Sequence, residues 1–375
     1  MTDAPPPADQ VPGAPHPREC PRLIGQDAAE ATFLQAFSAG RLHHGWLLTG
    51  PRGVGKATLA WRIARFLLAT PATESGGLFD APRPPQTLDI DSEHPVARRI
   101  RAGADPGLAL ITRSINDKTN RMRNEIVVDD IRNLNRFFGL SSADGGRRVV
   151  IVDAADEMNV PAANALLKML EEPPARTTLL LISHQPSALL PTIRSRCRTL
   201  RLTPLGPSDM QLALSQAGAE IAPGSDVATR LAALASGSVG EALRLLTHDG
   251  LALYGELFAI LDSLPRLDRQ RALALAELAA QRGAAERFEL LLTLIDTALA
   301  RLARTGATGT APQPEAAPNE AAILSRLSGD ARKARAWAEI AATITQRARH
   351  GQAVNLDPAA LVLDTVFKMQ ETAAG

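Results

Sequence analysis

The sequence predicts an α/β domain with a parallel sheet, followed by a region that is helical throughout. Continuous apolar runs at 149–152 and 179–182 are separated by a segment with helical spacing at 159–170. This alternation is typical of strands buried on both faces of a parallel sheet. A further apolar run, 45–49, leads into a glycine-rich turn. Beyond Pro207 the strand pattern ends, and Ala, Leu and Arg dominate the chain.

Length and composition limit the class of protein. The 375 residues correspond to two or three domains, each large enough to bury a core. With 41 Lys and Arg against 40 Asp and Glu, the net charge is +1, which argues against a free-standing basic nucleic-acid-binding protein. Only Cys20 and Cys197 are present, which excludes a disulfide framework and a four-cysteine zinc site. Neither a secretory leader nor a membrane span is expected, so we expect a cytoplasmic protein.

The chain is predicted to divide into four segments. Residues 1–21 contain seven prolines and few apolar groups, which predicts a disordered or extended tail. Residues 22–204 carry the alternating pattern of the α/β domain. Residues 205–249 are predicted to form a small helical domain and residues 250–375 a larger one. A loop rich in Gly, Ala, Pro and Thr interrupts the larger domain at 305–318.

The elements of the α/β domain follow from caps and apolar spacing. The first helix is predicted to begin at Asp27, a capping residue, and to end at Gly40. A second helix, 56–68, follows the glycine-rich turn. A strand at 109–111 and a helix at 128–138 then precede the two long apolar runs.

The glycine-rich turn has the pattern of a phosphate-binding loop. Gly50, Gly53, Gly55 and Lys56 fit G-x-x-x-x-G-K between a strand and a helix. Such glycines let backbone N–H groups converge on phosphate oxygens, and the lysine reaches the β- and γ-phosphates. Ala57 stands where a Ser or Thr hydroxyl would hold Mg²⁺. We therefore expect no productive hydrolysis here, and either weakly bound ATP or ADP or a loop retained for packing.

A second acidic motif follows the apolar run at 149–152. Asp153 ends that predicted strand at the carboxyl edge of the sheet, where ligands bind, and would orient a metal ion through water. An active ATPase of this type has a glutamate shortly afterwards that polarises the attacking water, whereas Ala154 is the next residue here. Asp156 and Glu157 lie further along and are interpreted as a capping or solvated cluster.

Three more motifs accompany the phosphate loop: V-D-A-A-D at 152–156, N-A-L-L-K-M-L-E-E-P-P at 164–174 and S-R-C at 195–197. In this order the set resembles the clamp-loader branch of the AAA+ superfamily, over about residues 22–240. The resemblance implies that the α/β domain is an AAA+ nucleotide-binding-like domain. It also implies that the small helical domain is a lid and that the larger one is an oligomerisation collar.

The resemblance further implies partners and a function. It implies a hetero-pentameric ring with gamma/tau and delta subunits, which helps to load the sliding clamp onto primed DNA as part of the DNA polymerase III holoenzyme, a DNA-directed DNA polymerase. DNA and the clamp would be reached through the assembly. Within that ring this chain would be a rigid member that hydrolyses no ATP itself.

The resemblance assigns roles to single residues. Arg196 is implied to be an arginine finger donated in trans to ATP on a neighbouring subunit, since a planar guanidinium fork suits phosphate oxygens. Cys197 is expected to pack at a strand start, because no histidine–acid pair accompanies it. Gly240 stands where active relatives carry a lid arginine. Ser183 and His184 end the strand on which the family places a phosphate-sensing residue, and their role is left open.

Two other functions are compatible with parts of the sequence. An autonomous AAA+ ATPase of the gamma/tau or branch-migration type would hydrolyse ATP by itself and would depend on Lys56. A small-molecule kinase is disfavoured by the long helical C-terminal half and by the S-R-C motif at 195–197.

Metal and direct DNA binding are not expected. Many relatives carry a four-cysteine zinc module in the region corresponding to 70–110, and this stretch contains no cysteine, so we expect no zinc. Lys118, Arg121 and Arg123 are candidates for contacts with DNA phosphates, but a solvated loop is the favoured interpretation.

Overall fold

In the computed structural model of this protein, the structure describes residues 9–11, 14–70, 85–116, 119, 121–139, 146–281, 283, 285–354 and 356–375. The chain forms two compact units. The first comprises Met1–Gly218 with Gly237–Gly240, and the second comprises Ala219–Ser236 with Glu241–Gly375. The residues predicted to form a separate lid, 205–249, are divided between these two units.

A five-stranded parallel sheet forms the centre of the first unit. In chain order the strands of this unit are β1 (Gly45–Thr49), β2 (Leu108–Ile111), β3 (Ile115–Asn116), β4 (Arg121–Met122), β5 (Arg148–Asp153), β6 (Thr177–Ser183) and β7 (Arg198–Arg201). The order across the sheet is β2-β5-β6-β1-β7, with parallel pairing throughout. Strands β3 and β4 form a short antiparallel pair. The predicted α/β fold with a parallel sheet is therefore confirmed.

Helices cover both faces of this sheet. The helices of the first unit are α1 (Asp27–Ser38), α2 (Lys56–Ala69), α3 (Pro95–Arg101), α4 (Val128–Gly139), α5 (Val160–Glu171), α6 (Pro191–Arg194) and α7 (Pro207–Gln216). One core cluster joins α1 and α2 to the sheet, and another joins α4 and α5 to it. Trp46 belongs to the first cluster and Leu47 to the second, because successive strand residues point to opposite faces. The apolar runs are thus continuous because both faces are buried.

The motif at 164–174 forms most of α5. Asn159 caps this helix, its side chain accepting a hydrogen bond from Ala162 N at 3.0 Å. Leu166 and Leu170, one turn apart, are buried in the core cluster on that face. The helix ends at Glu171, two residues before the first proline of E-E-P-P, which cannot continue a helix.

Part of the N-terminal segment is packed, in contrast to the predicted tail. Pro17–Glu19 form a 3₁₀-helix, and His16 is only 5% exposed. The His16 ring meets Trp61 of α2 edge-on, with 5.6 Å between ring centroids. Proline content predicts an extended chain, but it carries no information about what that chain packs against. Residues 1–8 and 12–13 of the predicted tail lie outside the described residues.

The second unit is helical within the residues that the structure describes. Its helices are α8 (Asp226–Ala235), α9 (Val239–Thr247, which begins in the first unit), α10 (Gly250–Ser263), α11 (Arg269–Ala280), α12 (Ala285–Thr308), α13 (Glu320–Leu327), α14 (Ala331–Ala353) and α15 (Pro358–Ala374). Helix α12 extends to Thr308, so the predicted loop at 305–318 begins later than expected. Over the described ranges, no helix is both long and apolar enough to cross a membrane.

A buried polar network connects four helices of the second unit. The Glu320 carboxylate is fully buried and accepts hydrogen bonds from Tyr254 Oη and Arg301 Nη1, both at 2.8 Å. Arg301 Nη2 donates to Ala233 O at 2.8 Å. The charge of Glu320 is therefore paired and hydrogen-bonded, as a buried carboxylate requires.

Candidate functional site

The phosphate loop lies between β1 and α2, at the carboxyl edge of the sheet. Gly50 has a φ of 143°, and a Cβ there would lie 2.5 Å from Leu202 O. Gly53 has a φ of 75°, and a Cβ there would lie 2.3 Å from Ser238 Oγ. Both positions therefore require glycine. Gly55, with a φ of 100°, is the residue before the first turn of α2.

Lys56 is directed into the backbone of its own loop. The ammonium donates hydrogen bonds to Gly50 O at 2.7 Å and to Pro51 O at 2.5 Å. Burial lowers the pKa of Lys56 to about 8, against the opposing charges of Asp153 and Asp156. Two of the three N–H donors of this lysine are therefore used by the loop itself.

Asp153 stands at the end of β5, as predicted, but in an enclosed environment. Burial raises the pKa of Asp153 to about 7; the charges of Asp9 and Glu157 raise it further, and Lys56 and Arg52 oppose them. A carboxyl group with that pKa is about half protonated at pH 7. Asp153 is therefore only partly ionised at neutral pH in this environment.

The other two carboxylates of this region have structural partners. Asp156 accepts hydrogen bonds from the backbone N–H groups of His184 at 3.1 Å and Gln185 at 2.9 Å. Glu157 Oε2 lies 2.9 Å from Arg113 Nε. Asp156 therefore caps the end of β6, and Glu157 is held in an ion pair. Neither takes the place of the glutamate that an ATPase would carry at 154.

Three positions lack groups that ATP hydrolysis uses. Ala57 packs against the core cluster of α1 and α2, and Ala154 is buried. Gly240 N donates to Gly53 O at 3.1 Å, and a Cβ at Gly240 would lie 3.0 Å from Gly53 Cα. An arginine at 240 would therefore force the loop to move. These residues do not fit a magnesium nucleotide held for hydrolysis.

Two buried polar atoms at the carboxyl end of β6 have no hydrogen-bond partner. They are Ser183 Oγ and His184 Nδ1. Burial lowers the pKa of His184 to about 4; the charges of Lys56 and Arg52 lower it further, and Asp156 opposes them. The His184 ring is therefore uncharged at neutral pH.

Arg196 lies between α6 and β7 with its guanidinium held on two sides. Nη1 donates to Thr192 O at 3.0 Å, and Nη2 lies 2.9 Å from Glu171 Oε1. The Arg196 side chain is 38% exposed and that of Glu171 43%. The guanidinium thus remains accessible to a partner.

Arg196 and the phosphate loop lie at opposite edges of the sheet. Strand β7 pairs in parallel with β1, and Trp46 is opposite Arg198. Arg196 precedes β7 and therefore lies at the amino edge, whereas Gly50 follows β1 at the carboxyl edge. At about 3.3 Å per residue, the five residues of β1 separate the two edges by roughly 15 Å. This is well beyond the length of an arginine side chain, so Arg196 cannot reach its own phosphate loop.

The remaining predicted residues contribute no chemistry that the structure reveals. Burial raises the pKa of Cys197 to about 12, the opposite of what a nucleophilic thiol needs. Lys118 lies outside the described residues, as does the side chain of Arg121. In the described part of the chain, no group of three or more His, Cys, Asp or Glu side chains could hold a metal ion.

Two features of the site were not predicted. Glu171 is the ion-pair partner of Arg196. The signal for Glu171 in the sequence was its place in the E-E-P-P part of the motif at 164–174. The charge of Asp9 contributes to the raised pKa of Asp153, and Val11 Cγ2 lies 3.6 Å from the position that a Cβ of Gly240 would take. Nothing in the sequence indicated this, because these residues are far apart along the chain.

The family model and the sequence relatives described next are all of DNA polymerase III subunits. Residues 25–206 match the family model described as "DNA polymerase III, delta subunit". DNA polymerase III subunit delta' of Pseudomonas aeruginosa is 39% identical over 168 residues, 45% of each chain. The delta' subunit of Escherichia coli is 30% identical over 217 residues, 58% of each chain. The gamma/tau subunit of Mycobacterium tuberculosis is 29% identical over 207 residues, 53% of this chain and 31% of the relative.

The chain thus spans about half the length of the delta' relatives that it matches. Among solved structures, a DNA polymerase III gamma subunit-related protein from Thermotoga maritima aligns with 91% of this chain and 99% of its own. The sequence identity is 16% and the TM-score 0.40, which is too low to support an argument about function.

Proposed function

From the match of residues 25–206 to the DNA polymerase III delta-subunit family model and from the delta' relatives, we propose that the chain is the delta-prime subunit of a clamp loader. In this role it helps to load a sliding clamp onto primed DNA. Its partners are gamma/tau and delta subunits in a hetero-pentameric ring, located in the cytoplasm with the replication machinery. The ring, rather than this chain alone, contacts the clamp and DNA.

The position of Arg196 carries the proposal. Its guanidinium is accessible and lies at the edge of the sheet opposite its own phosphate loop. It is therefore available only to a phosphate bound elsewhere, such as the γ-phosphate of ATP on a neighbouring subunit. The planar fork offers two N–H donors to the charge that develops on the transferring phosphoryl group.

The phosphate loop of this chain supports a role without hydrolysis. Ala57 provides no hydroxyl for Mg²⁺, and Ala154 provides no carboxylate for the attacking water. Lys56 is hydrogen-bonded to the loop carbonyls. We propose that this chain contributes an arginine to catalysis and no ATPase site of its own.

Arg196→Ala in a reconstituted ring tests the proposal. We expect hydrolysis at the site next to this chain to fall by at least roughly a hundredfold, since an arginine finger contributes a factor of about 10³–10⁵. Single-turnover hydrolysis of radiolabelled ATP by rings with the variant measures this loss. Arg194→Ala, at a nearby exposed arginine, is the matched control and should leave the rate unchanged. An unchanged rate in Arg196→Ala rings would refute the trans role.

The alternative is an autonomous AAA+ ATPase, which the phosphate-loop sequence and the gamma/tau relative favour. It requires the purified chain alone to hydrolyse ATP with Mg²⁺, and Lys56→Ala to abolish that activity. We expect no such hydrolysis above a blank without protein.

A further inference from the structure

The guanidinium of Arg196 is paired within this chain at both of its terminal nitrogens. Nη1 donates to Thr192 O at 3.0 Å, four residues earlier in the same turn. Nη2 lies 2.9 Å from Glu171 Oε1, an oxygen that the last residue of α5 supplies. Thr192 therefore anchors the guanidinium locally, whereas Glu171 neutralises its charge from a second element.

The end of α5 is fixed beside the turn that carries Arg196. His44 Nε2 lies 2.9 Å from Leu170 O, which ties the last turn of α5 to the residue before β1. Gly45 lies where α5 meets this turn, and a Cβ there would be 2.9 Å from Leu170 Cδ2 and 3.2 Å from Arg196 O. The backbones on the two sides of Gly45 are thus closely packed. The pair between Glu171 and Arg196 therefore breaks by rotation of side chains and not by movement of the helix.

The pair is weak because water reaches both of its members. The exposed fractions are 38% for the Arg196 side chain and 43% for that of Glu171. Solvent and salt screen such exposed ion pairs. Glu171 can also turn into solvent without leaving a buried charge unpaired. A more highly charged anion can therefore displace the carboxylate from the guanidinium.

A phosphate group has the chemistry to do this. Carboxylate and phosphate oxygens bind a guanidinium fork in the same way, so Glu171 Oε1 occupies a place that a phosphate oxygen would take. The terminal phosphate of ATP carries more negative charge than one carboxylate, and an arginine stabilises the charge of its transition state. Thr192 O is a neutral acceptor, and it can hold the guanidinium in its turn while the other partner is exchanged.

We propose that Glu171 is the resting counter-ion of Arg196 and that it competes, within this chain, with the phosphate that Arg196 contacts on a neighbouring subunit. This inference rests on the proposed function, since it needs a ring in which Arg196 reaches that phosphate. In the resting ring Glu171 neutralises the guanidinium. The transferring phosphoryl group replaces the carboxylate on the way to the transition state, and breaking the pair slows hydrolysis.

Rings reconstituted with Glu171→Gln test this competition. The amide keeps the length of the side chain and removes its charge. We expect single-turnover hydrolysis of ATP at the adjacent site to be about two- to fivefold faster, the range that corresponds to the energies of exposed ion pairs. The ATP concentration that gives half of the maximal rate should stay unchanged, because Arg196 acts in the transition state. Glu172→Gln, at the next exposed carboxylate, is the matched control and should change neither value.

Arg196→Ala separates this inference from the proposed function. The double variant Glu171→Gln/Arg196→Ala should hydrolyse ATP at the rate of Arg196→Ala alone, because the gain acts through the guanidinium. An acceleration that persists without Arg196 would overturn the counter-ion role. If Arg196→Ala slows hydrolysis but Glu171→Gln leaves the rate unchanged or lowers it, the counter-ion role alone is refuted. Full activity of Arg196→Ala rings would refute the trans role and this inference with it.

Discussion

At the scale of single residues, Arg196 and Lys56 show that the surroundings of a basic side chain decide whether it is available to a ligand. Arg196 is half-exposed and shares an ion pair with Glu171 on the surface. Such exposed pairs contribute at most about 1 kcal/mol to folding, so the guanidinium can exchange Glu171 for a phosphate at little cost. Lys56 is buried and bound to its own loop. A basic residue in a recognised motif is thus available in one case and engaged in the other.

Asp153 makes the stability of the chain depend on pH. An ordinary Asp ionises near pH 3.8, whereas this carboxyl group ionises near pH 7 because it is buried. Between these values the folded chain retains a proton that the unfolded chain releases. Rising pH therefore lowers the free energy of unfolding across this window. This decrease is complete above about pH 7.

Asp153→Asn should remove this dependence. The difference in free energy of unfolding between the variant and the unmodified chain should shift in favour of the variant by on the order of 2 kcal/mol from pH 5 to pH 8. Urea denaturation of both chains at the two pH values measures the difference. Glu172→Gln, at an exposed carboxylate, should show no pH-dependent difference. A gain at Asp153 that does not change with pH would contradict the assigned protonation.

At the scale of elements, Arg62 connects three segments of the first unit. It lies on α2 with a side chain only 5% exposed. Its guanidinium forms ion pairs with Glu30 of α1 at 2.8 Å and with Asp89 at 2.9 Å, and it also donates to Pro21 O. Arg62 therefore links Glu30, Asp89 and Pro21 to α2 through a single side chain.

Arg62→Ala should destabilise the first unit. Removal of the arginine leaves Glu30 partly buried without its partner, and losing one member of a buried pair costs several kcal/mol. We expect a loss of roughly 2–4 kcal/mol in chemical denaturation. Arg98→Ala, at an exposed arginine of α3, should change stability by less than about 0.5 kcal/mol. Similar losses for the two variants would mean that the Arg62 pairs contribute little.

At the scale of the whole molecule, charge and assembly are connected. The net charge is +1, although three exposed arginines lie in and just before β7: Arg194, Arg198 and Arg201. Affinity for DNA derives mainly from neutralised phosphates. In the proposed function, a nearly neutral chain would therefore obtain its DNA affinity from the other subunits of the ring.

The isolated chain should bind primed DNA weakly. We expect a Kd above about 10 µM at physiological salt, within the range of non-specific contacts. Fluorescence anisotropy with a labelled primer–template measures this, and the reconstituted ring under the same conditions should bind more tightly. Sub-micromolar binding by the chain alone would argue against DNA contact through the assembly.

The sequence by itself determined the local chemistry of this protein. Alternating apolar runs specified a parallel sheet because strands buried on both faces need apolar residues at every position. Gly50, Gly53 and Gly55 specified a tight loop, since their backbone angles suit glycine. The family resemblance of the S-R-C motif singled out Arg196, and its role in trans stays a prediction. These features depend on residues close together in the chain, which a sequence pattern can reveal.

The tertiary structure alone decided how these parts meet. Arg196 and the phosphate loop became separate sites because β1 and β7 run parallel. Gly240 lies against Gly53, and the charge of Asp9 raises the pKa of Asp153; both interactions join residues more than a hundred positions apart. The packed segment at 14–20 and the raised pKa of Asp153 depend on such contacts. Burial and charge act through space, so the order of residues could not reveal them.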